Sequence, residues 1–289
     1  MSKGASQLFI LGFTACMGVL YSLMYQHGLI AEILSLVTIL TIGLAWALER
    51  VWPHRPIWNR NQGDLKGDIV SFAVVFVVLD GLLKYLAPIV LVLLLGGLVQ
   101  PSSSIALWFE IIAVTLLIEF AAYASHWLHH RSKHLWTLHA THHVTQRLYS
   151  LNNFRFHPLN HVVNACFIVV PPLLIGFSPE AVLGYAALSM PVLIFQHANV
   201  DFRFGWLNYI LNTNEVHRWH HSSQPEDAGR NLGRALVIWD HVFGTFLAPN
   251  QNRMLTTVGL PENERARFPR PASLFAQWRY PFTAACCSR

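Results

Sequence analysis

Charge is what this chain has least of. Of its 289 residues only 12% are Asp, Glu, Lys or Arg, against roughly 25% in ordinary soluble domains, while 53% are hydrophobic. A soluble globular surface cannot be built from so few charges. Cysteine is also scarce: Cys16, Cys166, Cys286 and Cys287 form no C-x-x-C pair, which excludes a disulfide scaffold and a cysteine zinc finger. There is no G-x-G-x-x-G fingerprint for a dinucleotide, no H-P-G-G haem motif, no H-E-x-x-H protease motif and no 20–50-residue repeat. Residues 1–6 carry one lysine before an apolar run without a small-residue cleavage site, so the run is read as a retained anchor. The adjacent pair Cys286–Cys287 is read as two small residues of a frayed terminus rather than an acylation site.

What the chain has instead is long apolar runs and histidine. Six runs of 19 residues or more occur: Gln7–Tyr25, Leu29–Glu49, Asp68–Leu98, Ser104–Leu128, Leu159–Phe177 and Glu180–Asn199. Each is long enough for a hydrocarbon core of about 30 Å. The third contains Asp80, Lys84 and Pro88, and reads either as one kinked, tilted helix or as a re-entrant hairpin. If every run crosses once, 19 of the 20 Lys and Arg residues fall on one side, Lys84 lies within a run, and none lies in the opposite loops 26–28, 98–103 and 178–179. The positive-inside rule assigns the charged side, with both termini, to the cytosol. It also explains the net charge of +5 without nucleic acid, and sets Arg50, Arg55, Arg60 and Lys66 beside anionic headgroups. The expected architecture is an all-α polytopic membrane bundle of about four to six spans with a cytosolic histidine-rich cap holding a dimetal site. Three regions are expected: N-terminal spans (1–103), a histidine-rich catalytic region (104–248) and a loosely ordered cytosolic tail (249–289).

Sixteen histidines are present, nine of them between His126 and His161. Three clusters stand out: His126-x-x-x-His130, His139-x-x-His142-His143 and His217-x-x-His220-His221. On a helix, positions i, i+3 and i+4 share one face, so each cluster can present its imidazoles together. Random placement would give one H-x-x-H-H in roughly 0.05 chains of this composition, and two occur. Eight neutral nitrogen donors exceed the need of one ion and imply two metals, though imidazole suits iron, zinc, copper and nickel alike. His157, at the start of the fifth run, and His197, at the end of the sixth, are further candidate ligands. His27, His54, His129, His134, His161 and His241 fit no ligand spacing. Glu119 lies two turns before His126 on the same face, where it either accepts an N–H from a metal-bound imidazole or makes a plain helix contact. Asn231 and Asp240 are similar candidates from the cap.

These residues, in order, resemble the fatty acid hydroxylase/sterol desaturase superfamily. The resemblance is carried from about 119 to 246 by Glu119-x-x-x-Tyr123-x-x-His126-x-x-x-His130, Leu135-Trp136-x-x-His139-x-x-His142-His143, Arg155-Phe156-His157-Pro158, His197-x-Asn199, His217-x-x-His220-His221, Asn231-x-Gly233 and Trp239-Asp240-x-x-Phe243-Gly244-Thr245. It departs from the family pattern at Trp127, where Arg is common, and at Val144, where Ser often follows. The resemblance implies a membrane non-haem di-iron oxygenase with O2 as co-substrate, hydroxylating or desaturating an unactivated C–H bond of a membrane lipid. The eight clustered histidines match its histidine boxes, and His157 and His197 match its additional histidines. A separate ferredoxin or cytochrome b5-like donor is expected to supply electrons, docking on basic residues such as Arg218 and Arg230. A membrane metal transporter using the same histidines is the alternative, and it would need polar ligands at mid-membrane depth.

Overall fold

The computed structural model describes residues 1–28, 30–95, 105–227, 229–249, 255 and 257–283. The loop at 98–103 and Cys286–Cys287 lie outside these. The described residues are nearly all helical, with only isolated β-bridges such as Pro53 to Val200. Helices α1 (Lys3–His27) and α2 (Ile30–Val51) form a first pair. A third rod follows as α3 (Leu65–Ser71), a π-helical stretch (Phe72–Leu79) and α4 (Asp80–Leu95). Then come α5 (Leu107–Arg131), the short α6 (Lys133–His143), α7 (Pro158–Ile175) and α8 (Pro179–Phe195). Small helices α9 (Asn214–His220), α10 (Ile238–Phe243), α11 (Glu262–Arg265) and α12 (Leu274–Arg279) complete the cap. Five helices are long and apolar enough to cross a membrane, and α8 is a shorter apolar helix.

The third run is one continuous helix from 65 to 95, so the hairpin alternative does not apply to the described residues. The wider π turn lies between the end of α3, where Ser71 binds the carbonyl of Phe154, and Asp80, consistent with the use of such segments to adjust a helix against fixed contacts.

The passes alternate in direction. The N-terminal amine donates to the carbonyl of Asp201, and Glu49 at the end of α2 accepts from the backbone N–H groups of Ser150 and Asn199. At the opposite end, Glu110 accepts from the backbone N–H and hydroxyl of Ser178, and Tyr21 donates to the carbonyl of Glu180. Each of these acids is buried in an apolar run, and each is held by donors that remove the cost of an unpaired charge. The core gathers Met17, Tyr21, Ile111, Ile118, Tyr185 and Phe195 between α1, α5 and α8. Gly184 permits this approach: a Cβ there would stand 2.7 Å from Ile111 Cδ1.

At the histidine end, two buried ion pairs tie the cap to the third rod. Arg147 binds both carboxylate oxygens of Asp64 at 2.8 Å, and Arg155 pairs with Asp68, which also accepts from Tyr149. Residues 258–283 are a correction to the expected loose tail. Leu260, Phe268 and Tyr280 pack on Ala140, Val144 and Trp136, and Gln277 is fully buried against Arg155. Alternating Pro, aromatic and charged residues carry no helical period, so their packing was invisible in the sequence.

Candidate metal centre

Nine histidines converge at this end of the bundle in two groups. His126, His130, His139, His143 and His220 form one; His142, His197, His217 and His221 form the other. Within each group the ligand nitrogens all lie within 4.8 Å of one another. The two groups share a wall, since the His143 and His221 rings stack at 4.3 Å and His142 lies 5.4 Å from His139. Helical spacing explains this division. His139 and His143 leave α6 toward the first group, while His142, rotated by roughly 100° from its neighbour, leaves toward the second. The pair His220 and His221 at the end of α9 splits in the same way.

The nitrogens face each other as a coordination shell requires. The Nε2 atoms of His126 and His139 stand 3.1 Å apart, those of His139 and His143 3.2 Å, and those of His143 and His220 3.2 Å. In the second group His197, His217 and His221 are linked by Nε2 separations of 3.2 Å. With bonds of about 2.1 Å, adjacent donors on one ion lie roughly 3.0 to 3.4 Å apart. His130 Nε2 is buried with no hydrogen-bond partner, as a nitrogen reserved for a metal would be.

The other ring nitrogens are held from behind. His126 Nδ1 donates to the carbonyl of Leu232 at 2.8 Å and His220 Nδ1 to that of Arg230 at 2.8 Å. His139 Nδ1 donates to Asn160 Oδ1 at 2.9 Å, His197 Nδ1 to Asn152 Oδ1 at 2.9 Å and His142 Nδ1 to the carbonyl of Arg155 at 3.2 Å. An oxygen at Nδ1 fixes the tautomer that leaves the Nε2 lone pair free. Outside the spans, burial keeps the imidazoles neutral, pushing His142 down to about 3 and His220 down to about 4. Neutral, inward-facing imidazoles are the form that binds metal, and the residues present therefore fit two ions.

The carboxylates act one step further out. Glu119 contacts no imidazole, correcting the first expectation for it. It accepts from Tyr185 Oη at 2.7 Å and from the backbone N–H groups of Ala235 and Leu236 at 2.9 Å. Asp240 accepts from the backbone N–H groups of Leu232 at 2.7 Å and Gly233 at 2.8 Å, and from Thr245 Oγ1 at 2.7 Å. Two acids thus clamp one loop, whose carbonyls at 230 and 232 receive His220 and His126. Between those carbonyls Asn231 turns the chain at φ 53°, a conformation Asn tolerates, and its side chain binds Val216 and Leu247 backbone groups. A Cβ at Gly233 would meet the carbonyl of Leu236 at 2.1 Å, so that turn closes only around glycine.

His157 joins neither group. It caps α7, accepting from the backbone N–H of Leu159 at 3.0 Å, while its Nε2 faces the carbonyl of Trp278 at 2.8 Å. His54 lies 3.5 Å from Asp201, and His161 pairs with Asp80. Arg218 is buried, donating to the carbonyl of Val200, and burial pushes its guanidinium down to about 10, so it offers no docking surface; Arg230 remains exposed. Asn152 and Asn160 were missed by sequence reasoning. Their signal was faint: an amide three residues after His157, opening an apolar run, and another inside a loop.

Residues 111–245 match the model of the fatty acid hydroxylase family. The chain is 29% identical to ornithine lipid hydroxylase OlsE of Rhizobium tropici over 226 residues, 74% of this chain and 67% of the relative. It is 28% identical to human alkylglycerol monooxygenase over 134 residues, 46% of this chain but 30% of that protein. Sphingolipid C4-hydroxylase sur2 of Schizosaccharomyces pombe is 29% identical over 126 residues, 43% of this chain and 42% of the relative. The alignments therefore span about two thirds of the first relative's length and less than a third of the second's. No solved structure matches significantly. The histidine motifs at the end of the apolar helical bundle thus lie within the region, residues 111–245, over which this chain is similar to the fatty acid hydroxylase family.

Proposed function

We propose that this protein is an O2-dependent di-iron hydroxylase of a membrane lipid, with both termini and the histidine end in the cytosol. The observation that carries the reading is the convergence of nine imidazoles into two adjacent groups at one end of an apolar bundle. His126, His130, His139, His143 and His220 would hold one iron, and His142, His197, His217 and His221 the other. A bound iron pair supplies the oxygen activation, and the overall change is R–H + O2 + 2 electrons + 2 protons giving R–OH and water. The chain's own residues do the rest. Asn152, Asn160 and the carbonyls at 155, 230 and 232 aim the imidazoles, and Glu119 and Asp240 hold the loop that presents two of those carbonyls. Trp136 and Phe156 close over the rings, at 5.0 Å from His130 and stacked at 4.4 Å on His142, and exclude water from them.

The relatives' names refer to lipid hydroxylation or monooxygenation, which favours hydroxylation over desaturation here. Electrons come from a separate ferredoxin or cytochrome b5-like donor. The distribution of 19 of 20 basic residues on the histidine side supports the cytosolic orientation. The metal-transporter alternative is not favoured. The acids Glu49, Glu110 and Glu119 inside the spans are each satisfied by backbone donors rather than arranged as a file of ligands, and the described metal-binding groups lie at one end only. Comparative lipidomics of cells carrying the wild type or His142→Ala tests the proposal. The wild type should produce a lipid heavier by one oxygen that the variant lacks; identical lipid profiles would refute it.

A further inference from the structure

Asp80 differs from the three glutamates buried within the spans. Glu49, Glu110 and Glu119 are at most 4% exposed and accept backbone N–H groups. Asp80 is 20% exposed and is held by two side chains alone, Lys84 Nζ at 2.6 Å and His161 Nε2 at 3.0 Å. Lys84 is itself 67% exposed. It stands on a face of the third rod that is otherwise apolar and open, beside Val77, Val78 and Tyr85, each more than half exposed. A Cβ at Gly81, one turn before Tyr85 on this face, would meet nothing within 4 Å. A charged side chain facing hydrocarbon is costly unless its head finds a polar partner.

The depth of the pair follows from its neighbour. His161 lies in the first turn of α7, about 5 Å from the helix end at a rise of ~1.5 Å per residue, and that is the end at which the histidine groups gather. The preceding residue, Asn160, holds His139. Beyond Lys84 the rod continues with exposed Leu86, Ile89, Val90 and Leu93, a length of roughly 15 Å to Leu95. An acyl chain can lie along this apolar face with its headgroup at Lys84 and Asp80, at the end of α7 whose Asn160 holds His139.

We infer that Asp80 and Lys84 form the headgroup site for a zwitterionic lipid, whose ammonium exchanges for Lys84 at the Asp80 carboxylate while its anionic group binds the Lys84 amine. A ligand that carries both signs matches this pair, because opening it leaves the Lys84 ammonium without its partner and Asp80 Oδ2 unpaired, while His161 keeps Oδ1. This deepens the lipid-hydroxylase reading by assigning the substrate class, and it places the reacting carbon near the headgroup rather than at the far end of the chain.

The test uses the full-length protein in nanodiscs of phosphatidylglycerol doped with either phosphatidylethanolamine, which carries an ammonium and a phosphate, or uncharged diacylglycerol. Lipid retained by the protein is read by native mass spectrometry, with iron content and thermal stability measured on the same samples. The wild type should retain phosphatidylethanolamine over diacylglycerol. K84M and D80N should each reduce that retention at least about tenfold, the size of a lost charge-assisted hydrogen bond, with iron content unchanged. Equal retention of the two dopants by the wild type, or undiminished phosphatidylethanolamine in both variants, overturns the assignment. The outcome is independent of turnover: His142→Ala, inactive under the hydroxylase reading, should still retain the lipid, so loss of the hydroxylase reading would leave this site standing and the reverse.

Discussion

The two histidine groups are built from the same side chain and differ in what holds it. The five-membered group takes its ligands from α5, α6 and α9, and two of its rings are only partly buried. Two of its imidazoles are aimed by carbonyls of a single loop that Glu119 and Asp240 clamp. The four-membered group is fully buried and is aimed by Asn152 and by the Arg155 carbonyl, on the segment that Arg147 and Arg155 fasten to the third rod through Asp64 and Asp68. One group is set by a clamped loop; the other is set by a buried ion-pair frame. The difference lies in burial: two rings of the first group are partly exposed, and all four of the second are buried.

Breaking either group should stop the chemistry, so the largest effect gives no contrast. His142→Ala and His139→Ala should each lower lipid hydroxylation at least 100-fold, as loss of an essential ligand does, and each should lower bound iron. Acid should act next. In the metal-free protein, His142 and His220 are held down to about 3 and 4 by burial, whereas in the unfolded chain they titrate near ~6.5. The unfolded state then binds more protons, so stability rises with pH between those limits and falls as the pH drops below ~6.5. Thermal melts of the chelated protein should decline steeply from pH 6.5 to 4, and the iron-loaded protein should decline less; matching declines would remove the histidines from the account.

The frame and the loop separate at the next level. Arg155→Met leaves the Asp68 charge without its guanidinium and should cost about 3–5 kcal/mol of stability, read by denaturation in detergent. Asp240→Ala and Asn152→Ala are expected to be milder and opposite in location, each weakening metal affinity roughly 10- to 100-fold. Titrating chelator against each variant should release one of two irons early in both cases. Paired with a histidine substitution from the same group, the effects should not add; additivity would show that the loop and the amide do not act through those ligands. At the small end, His54→Ala should change neither iron nor activity, because its ring pairs with Asp201 away from both groups.

The sequence made the frame of this site legible to the extent that spacing encodes direction. Apolar runs placed six apolar helical segments, five of them long enough to cross a membrane, and i, i+3, i+4 spacing carried the eight clustered histidines to one end of the bundle. Spacing could not tell that neighbours such as His142 and His143 would serve different groups, since that depends on which partners lie to either side of α6. His197 has no neighbouring histidine and no period, and His157, equally well placed along the chain, is used as a helix cap. The oxygens behind the imidazoles were least legible of all. Three are backbone carbonyls, which any residue supplies, and Glu119 reaches the site only through a loop that lies 116 residues away in sequence.

The most direct measurement is the iron content and iron–iron coupling of the purified, detergent-solubilised protein, read by elemental analysis and Mössbauer spectroscopy on the same sample. Two irons per chain that behave as one magnetically coupled pair are the predicted result. A single iron, or two that do not interact, would contradict a shared centre built by the two histidine groups.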